Sequence, residues 1–168
     1  LDEAYGELAP PDALPAIDTG QANVLRMRTF SKAYGLAGLR VGWAAGPMYV
    51  LDAARSTAIP LAVTEPAQRA ALAALEQEEH YRAQTDEIAE RRDRVASALR
   101  EQGWAIPTPQ GNFVWLATGE RTSAAAEVLE AHGIVARVFA PEGIRVSIGE
   151  EGSVEGLLRA AGIVVETL

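Results

Sequence analysis

The sequence predicts an α/β fold with a second, smaller α+β unit. Short apolar runs with strand character alternate along the chain with longer stretches of helical pattern. Alanine and glycine are abundant while aromatic residues make up 6% of the chain, which suits helices packed closely on a sheet. The chain has 168 residues, of which 48% are hydrophobic, so it can form one substantial core or two small ones.

The first part of the chain is predicted to carry two strands on either side of a glycine-containing loop. Leu1–Tyr5 has the character of the end of a buried strand, and because no residues precede it we expect the chain to begin inside a larger protein. Prolines in the segment 6–20 favour a loop or short helical turns. We then predict a strand at 23–30, a loop at 31–40, a strand at 41–45 and a helix at 47–55 that has proline at its first position.

The second part of the chain is predicted to be helical and then mixed. Thr64 is a candidate N-cap for a helix that begins with Glu65, and Gly103 is a candidate stop for a longer helix. The predicted elements are helices at 65–77 and 79–102, a strand at 112–116, a helix at 122–132, strands at 134–138 and 143–148, and a helix at 152–161. A change in composition near residue 64 predicts one domain over residues 1–64 and a smaller α+β domain over residues 65–168.

Composition excludes several classes of function. The net charge of −8 disfavours binding to nucleic acid or to an anionic membrane, and no run approaches the roughly 20 apolar residues of a membrane span. The chain has no cysteine, and its two histidines, His80 and His132, are not spaced as metal ligands, so we expect no disulfide and no metal site. The N-terminus has no signal-peptide pattern. We therefore expect a soluble, cytoplasmic protein.

Lys32 is the first candidate for covalent chemistry. It is the only lysine, and the 14 other basic residues are arginines. A guanidinium stays protonated and offers no nucleophilic lone pair, whereas an amine can condense with an aldehyde to form a Schiff base. The alternative is an ordinary surface lysine, and only the neighbouring residues can distinguish the two interpretations.

Three motifs together resemble the fold-type I pyridoxal-phosphate aminotransferases, in particular the branch of histidinol-phosphate and aromatic amino-acid aminotransferases. They are Asp2-Glu-Ala-Tyr5, Ser31-Lys-Ala-Tyr-Gly-Leu-Ala-Gly-Leu-Arg40 and Gly143-Ile-Arg-Val-Ser-Ile-Gly149. The resemblance covers essentially the whole chain and corresponds to the second half of such an enzyme. It implies that residues 1–64 are part of a large domain with a mixed, mostly parallel sheet, and that residues 65–168 are its small C-terminal domain.

The resemblance implies three residues that act on the cofactor ring. Lys32 would hold pyridoxal 5'-phosphate covalently and then move a proton between substrate and cofactor. Asp2 would pair with the protonated pyridine nitrogen, which keeps the ring an effective electron sink. Tyr5 would donate a hydrogen bond to the 3'-oxygen of the cofactor. The alternatives from the residues alone are a carboxylate that caps a turn for Asp2 and an ordinary half-buried tyrosine for Tyr5.

A second group would bind the cofactor phosphate. Ser31 can donate a hydroxyl hydrogen bond, and Arg40 can offer a two-pronged contact to phosphate oxygens. Thr29 is a weaker candidate, because strand alternation can turn its side chain away from the site. A solvated loop arginine is the alternative for Arg40.

A third group would bind the substrate. Arg145 stands in an otherwise apolar strand and needs a carboxylate partner, which in the family is the α-carboxylate of the amino acid; a protein carboxylate is the alternative. Arg137 occupies the place where related enzymes contact the distal group of the substrate, although a surface role is open. Asn112 lies in a segment that resembles an active-site lining of the family.

The implied activity is transfer of an amino group from an L-amino acid, either histidinol phosphate or an aromatic amino acid, to 2-oxoglutarate by a homodimer. A decarboxylase or lyase of the same fold, or the effector domain of a transcription regulator, is the alternative. A degenerate binding module that has lost the cofactor is a third alternative, and the joint presence of the residues that match the family argues against it. Several cofactor-binding parts of the family would lie before residue 1, so we expect the 168 residues alone to be inactive.

Overall fold

The computed structural model describes residues 1–10, 12–18 and 20–167. It divides into two compact units, Leu1–Thr85 and Asp86–Leu168. The division falls inside one long helix and not near residue 64. The proposed domain boundary between residues 64 and 65 therefore stays a prediction about the domains of the family.

Unit 1 is built on a short two-stranded sheet. Strand β1 (Arg26–Thr29) pairs with β2 (Gly42–Ala45) in antiparallel register, and Asp2 forms a single parallel bridge to Met27 of β1. Gly42 permits the close pairing, because a Cβ atom there would lie 2.6 Å from the carbonyl oxygen of Arg28. The segment around Leu1 lies beside β1 through this bridge, and Leu1 itself is 60% exposed in this chain.

Two helices and the start of a third complete unit 1. They are α1 (Met48–Thr57), α2 (Glu65–Leu75) and the first residues of α3 (Glu78–Glu101). Thr64 caps α2 as predicted, since its hydroxyl oxygen accepts a hydrogen bond from the amide of Ala67. Small side chains on α2 let it approach the loop closely, and the buried core consists of Phe30, Val41, Ala67, Ala71 and Ala74.

Unit 2 is a three-stranded antiparallel sheet with helices on its buried face. The strands are β3 (Phe113–Leu116), β4 (Arg137–Phe139) and β5 (Gly143–Ser147), in the order β3-β5-β4. The helices are the rest of α3, α4 (Thr122–Ala131) and α5 (Val154–Thr167). The buried residues of α5 recur at helical spacing, at Leu157, Ala160, Ala161 and Val164, as expected for a helix that packs one face on a core.

Alternation along the strands gives the sheet of unit 2 two different faces. Ile144 and Val146 of β5 are almost fully buried and join Val114 and Leu116 in the core. Arg145 lies between them in sequence and therefore points to the other face. The apolar face buries the core, and the other face is left for polar and aromatic side chains.

The structure corrects several predicted boundaries. The strand predicted at 134–138 begins only at Arg137, because Gly133 takes a positive φ of 79° and the amide of Ile134 bonds back to the carbonyl of Leu129 to close α4. Helix α5 extends to Thr167, beyond the predicted end at residue 161. Among the described residues, no helix is both long and apolar enough to cross a membrane.

Candidate active site

Lys32 stands on a tight turn that leaves the end of β1. The amide of Gly35 donates to the carbonyl of Lys32 at 3.0 Å, and Gly35 has a φ of +67°, which glycine adopts without strain. The amide of Leu36 then returns to the carbonyl of Phe30 at 2.9 Å. The lysine side chain is exposed, and its Nζ lies 5.3 Å from the centroid of the Tyr5 ring. The turn therefore presents the amine above the Asp2–Tyr5 segment.

A chain of aromatic contacts anchors this turn. The rings of Phe30 and Tyr34 are 4.9 Å apart, and those of Tyr34 and Tyr81 are 5.1 Å apart in an edge-on arrangement. Burial raises the pKa of Tyr34, and the charges of Glu7 and Glu78 add to the effect. Tyr34 is thus a neutral packing residue that ties the Lys32 turn to α3 within unit 1.

Two hydroxyl groups and one guanidinium meet beside the lysine. Thr29 Oγ1 donates to Ser31 Oγ at 2.9 Å and also accepts from the amide of Ser31 at 3.1 Å. Arg40 Nη1 reaches Ser31 Oγ at 3.4 Å and the carbonyl of Ala37 at 2.8 Å. The structure thus brings Thr29, which the sequence made the weakest candidate, next to Ser31 and Arg40.

Arg40 has an unusual backbone for a residue with a side chain. Its φ of 52° and ψ of 48° are left-handed, at the end of a short 3-10 turn over Ala37–Leu39. Such a conformation is uncommon for residues other than glycine, asparagine and aspartate. It returns the guanidinium towards Ser31 instead of away from the loop. The three donor side chains form a cluster whose chemistry fits phosphate oxygens.

Asp2 pairs with the edge of β1, and Tyr5 lies in the turn that follows it. Asp2 Oδ1 accepts a hydrogen bond from the amide of Ala4 at 3.0 Å, so this carboxylate does cap a turn, while its side chain stays exposed. Tyr5 is half-buried and lies under the lysine amine. The capping contact and a role towards a cofactor do not exclude each other, because a carboxylate has two oxygens with about four acceptor positions.

An ion-pair network below this segment was not anticipated from the sequence. The carboxylate of Glu3 is 1% exposed and pairs with Arg26, itself 5% exposed, and with Arg28 at 2.9 Å. Burial alone would raise the pKa of Glu3, but the hydrogen bonds and charges of the two arginines outweigh it and lower that pKa. The signal was present in the sequence, because two arginines at alternate positions of a strand share one face.

Arg145 lies on the central strand of unit 2 without a carboxylate partner among the described residues. Its Nε is buried and donates to no acceptor within hydrogen-bond distance, while its guanidinium lies 5.3 Å from the centroid of the Phe113 ring. A buried donor without an acceptor costs about 1–3 kcal/mol, more for a charged group. A guanidinium without a carboxylate partner among the described residues therefore suits an anionic ligand.

Arg137 is directly opposite Arg145 in the sheet. The pair is in register across β4 and β5, and Trp115 of β3 is opposite Arg145 on the other side. Arg137 is exposed and lies 5.1 Å from the centroid of the Phe139 ring. Like charges at opposed positions repel each other, and an anion that contacts both would relieve this cost.

Asn112 lies immediately before β3 and is half-buried. Its carbonyl accepts from the amide of Ile148 at 2.7 Å, which holds the ends of β3 and β5 together. Arg92 of α3 is buried and donates to the neighbouring carbonyl of Gly111 at 3.1 Å. The backbone around Asn112 is therefore held from two sides.

The end of β5 is held in the same way by two further arginines. Arg91 and Arg94 of α3 bind the carboxylate of Glu151 at 2.8 and 2.7 Å, and Arg91 also donates to the carbonyl of Gly149. The pKa of Glu151 lies below its ordinary value, mainly because of the hydrogen bond from Arg91. These contacts, which sequence reasoning missed, position the strand that carries Arg145.

The chain matches known proteins along almost its whole length. The model of the family "Aminotransferase class I and II" matches residues 1–161. An aromatic amino acid aminotransferase of Streptomyces avermitilis is 48% identical over 153 residues, which are 89% of this chain and 43% of that protein. A protein of the same name in Mycolicibacterium paratuberculosis is 43% identical over 164 residues, 96% of this chain and 46% of the relative. The chain thus spans about half the length of the curated relatives it matches.

Solved structures show the same relationship. A histidinol-phosphate aminotransferase from Sinorhizobium meliloti, solved in complex with pyridoxal-5'-phosphate, superposes with a TM-score of 0.84 at 33% identity. The match covers 99% of this chain and 48% of that one. The histidinol-phosphate aminotransferase from Clostridium acetobutylicum has a TM-score of 0.86 at 20% identity, over 99% of this chain and 54% of that one, and so shows the shared fold. The chain belongs to the class I and II aminotransferase family.

Proposed function

We propose that the protein containing this chain is a pyridoxal-phosphate-dependent aminotransferase that acts on aromatic amino acids. The observation that carries the proposal is the cluster of Thr29, Ser31 and Arg40 beside an amine that lies over the Tyr5 ring. This donor set fits the phosphate of the cofactor, and the exposed amine of Lys32 fits its aldehyde. The family membership supports both assignments.

The residues of unit 1 would each act on one part of the cofactor. Pyridoxal phosphate, when bound, supplies an aldehyde for the lysine and a ring that stabilises negative charge on the substrate's α-carbon. Lys32 Nζ would hold the cofactor and move the proton at that carbon. Asp2 would pair with the ring nitrogen, and the Tyr5 hydroxyl would donate to the 3'-oxygen. Ser31, Thr29 and Arg40 would hold the phosphate.

The residues of unit 2 would bind and orient the substrate. Arg145 would pair with the α-carboxylate, because its guanidinium has no carboxylate partner among the described residues and needs one. Arg137 would contact the distal end of the substrate, and Asn112 would line the site. The aromatic side chains Phe113, Trp115 and Phe139 lie close to the two arginines, which supports an aromatic amino donor over a purely polar one. The names of the curated relatives support the same choice, and 2-oxoglutarate is the proposed amino acceptor.

We further propose a cytoplasmic homodimer as the working form. Ile59 and Leu61 are 78% and 96% exposed in the segment between α1 and α2. Exposed apolar side chains that are close in sequence are typical of a surface that contacts more protein, either the rest of the polypeptide or a second copy. Sedimentation of the whole gene product should give twice the mass of one chain, and a monomer that is active would contradict the dimer.

The central test uses the product of the whole gene. The purified protein should retain one equivalent of cofactor, and borohydride should fix that cofactor on the peptide that contains Lys32. A Lys32→Arg variant should retain the charge, fix no label and transaminate at least about 100-fold more slowly, the lower range for removal of a proton-transfer group. Label on another residue would refute the assignment. Rates with phenylalanine and with histidinol phosphate as donors would separate the two branches.

A further inference from the structure

Arg28 links the two carboxylates that lie on either side of Tyr5 in the sequence. Its Nε is 2.9 Å from Glu3 Oε2, and its Nη1 is 3.5 Å from Glu7 Oε1. Glu3 stands two residues before Tyr5 and Glu7 two residues after it. One guanidinium therefore holds both ends of the short segment that carries the tyrosine.

The backbone around Tyr5 is folded against that guanidinium. The amide of Gly6 donates to the carbonyl of Glu3 at 2.9 Å, and the amide of Leu8 donates to the carbonyl of Tyr5 at 3.0 Å, so the segment forms a closed turn. A Cβ atom at Gly6 would lie 3.7 Å from Arg28 Cζ, in direct contact. Gly6 thus lies at ordinary van der Waals distance from the guanidinium carbon, so the turn packs directly on the arginine.

Arg28 is itself held in place by its surroundings. The carboxylate of Glu3 is 1% exposed and is also bound by Arg26, so this end of the contact is buried. The guanidinium lies 5.7 Å from the centroid of the Trp43 ring, and the Arg28 side chain is 26% exposed. A cation over an aromatic face and beside a buried carboxylate has few alternative positions.

The strand that carries Arg28 also leads directly to the lysine. Arg28 belongs to β1, which ends at Thr29, and Lys32 follows three residues later. Arg28 thus connects the Tyr5 turn to the same strand that sets the position of the Lys32 turn. The 5.3 Å separation between Lys32 Nζ and the Tyr5 ring depends on the relative position of these two turns.

We propose that Arg28 is a positioning residue that sets the Tyr5 ring relative to Lys32 through its two carboxylate contacts. The inference rests on the proposed function, in which Tyr5 donates to the 3'-oxygen of the cofactor. Arginine suits this role because its planar fork offers donors in two directions, whereas a lysine ammonium is a single point charge that binds one of two separated carboxylates well. The competing explanation is that Arg28 only stabilises the fold.

The test is a double-mutant cycle in the whole gene product loaded with pyridoxal phosphate. Tyr5→Phe removes the hydroxyl and should shift the absorbance maximum of the bound cofactor. Arg28→Lys should shift the maximum in the same direction and weaken cofactor retention by about tenfold, as expected for one charged hydrogen bond. The double variant should match Tyr5→Phe alone, because Arg28 acts through the tyrosine. Arg55→Lys, which changes an exposed pair with Asp52 on α1, is the matched control and should leave the spectrum unchanged.

Four results would overturn the inference or separate it from the proposed function. An unchanged spectrum in Arg28→Lys, with a lower melting temperature, would mean that the arginine only stabilises the fold. Shifts that add in the double variant would mean that it acts independently of Tyr5. If the wild-type protein fixes no cofactor on Lys32, the proposed function itself fails. If Arg28→Lys does not fold, Glu7→Gln replaces it in the test, because it weakens one of the two contacts of Arg28. Glu7→Gln should shift the absorbance maximum of the bound cofactor in the same direction but by less. An unchanged maximum in that variant would also overturn the inference.

Discussion

Replacing Glu3 with glutamine would test how much the buried ion-pair network stabilises unit 1. The carboxylate of Glu3 is 1% exposed, and it binds Arg26, which is 5% exposed, and Arg28, which is 26% exposed. Glu3→Gln keeps the size of the side chain and removes its charge. Arg26 then stays buried with its positive charge uncompensated, and its Nη2 has no hydrogen-bond partner among the described residues even in the wild-type structure.

The expected cost is about 3 kcal/mol in the free energy of unfolding at pH 7. Removal of one partner from a buried ion pair typically costs about 3–5 kcal/mol, because a charge is left buried without compensation. We expect the lower end of that range for two reasons. The glutamine oxygen can still accept a hydrogen bond from one arginine, and Arg28 is exposed enough to be hydrated.

The effect should depend on pH with a defined sign. Burial acts to raise the pKa of Glu3, but the hydrogen bonds and charges of the two arginines outweigh it, so the folded pKa lies below the ordinary value. A carboxyl group of this kind contributes stability that is fully present above its unfolded pKa of about 4.3. That contribution disappears as the pH falls through the folded pKa. Because glutamine does not titrate, the difference between the two proteins should be full at pH 7 and shrink below about pH 4.

Urea unfolding of the whole gene product, followed by the fluorescence of tryptophan and by circular dichroism, measures this difference. Glu155→Gln is the matched control, because Glu155 is 87% exposed in its pair with Arg159 on α5, and we expect a change below about 1 kcal/mol. A decrease in stability in Glu3→Gln as small as that of the control would refute the reasoning. So would a difference that grows as the pH falls.

Two further predictions concern unit 2. Arg145→Lys should raise the KM for the amino donor by about tenfold or more, because the substitution removes a charged hydrogen bond to the substrate. The spectrum of the bound cofactor should stay unchanged. Steady-state kinetics measures the KM, and a change confined to kcat would contradict the prediction. Leu99→Ala should lower the free energy of unfolding by about 3 kcal/mol, because Leu99 is fully buried in the core. The control Leu72→Ala, at a 63% exposed position of α2, should lower it by less than about 1 kcal/mol. Equal decreases in the two leucine variants would show that the buried core of unit 2 has been assigned wrongly.

Local patterns predicted most of the secondary structure. Helices α2 and α3 begin and end within two residues of their predicted bounds, because capping residues and helical periodicity act over a few neighbouring positions. The strand before Arg137 was predicted too early, because the return of Ile134 to the end of α4 is a hydrogen bond that apolar content does not reveal. Thr29 was the weakest phosphate candidate for a similar reason, since its side-chain direction depends on the sheet that β1 joins.

The network around Glu3 shows the limit of sequence reasoning more clearly. Glu3 and Arg26 are 23 positions apart, and their contact exists only because the first residues pair with β1. A carboxylate next to Asp2 had no predicted role, because nothing local distinguishes a buried glutamate from an exposed one. Strand alternation already puts its two arginine partners on one face, and they became significant once the structure showed that both pair with Glu3.

By itself, the sequence determined the α/β class, the family resemblance and the identity of the single lysine amine that can form a Schiff base. Those properties follow from residue types and short-range spacing, which need no knowledge of distant neighbours. Tertiary structure alone decided that Thr29 and Arg40 meet at Ser31, that Arg145 has a buried donor without an acceptor in unit 2, and that one guanidinium spans both sides of Tyr5. The physical reason is that burial and long-range pairing set the strength of charge interactions, and both arise only when separate segments come together.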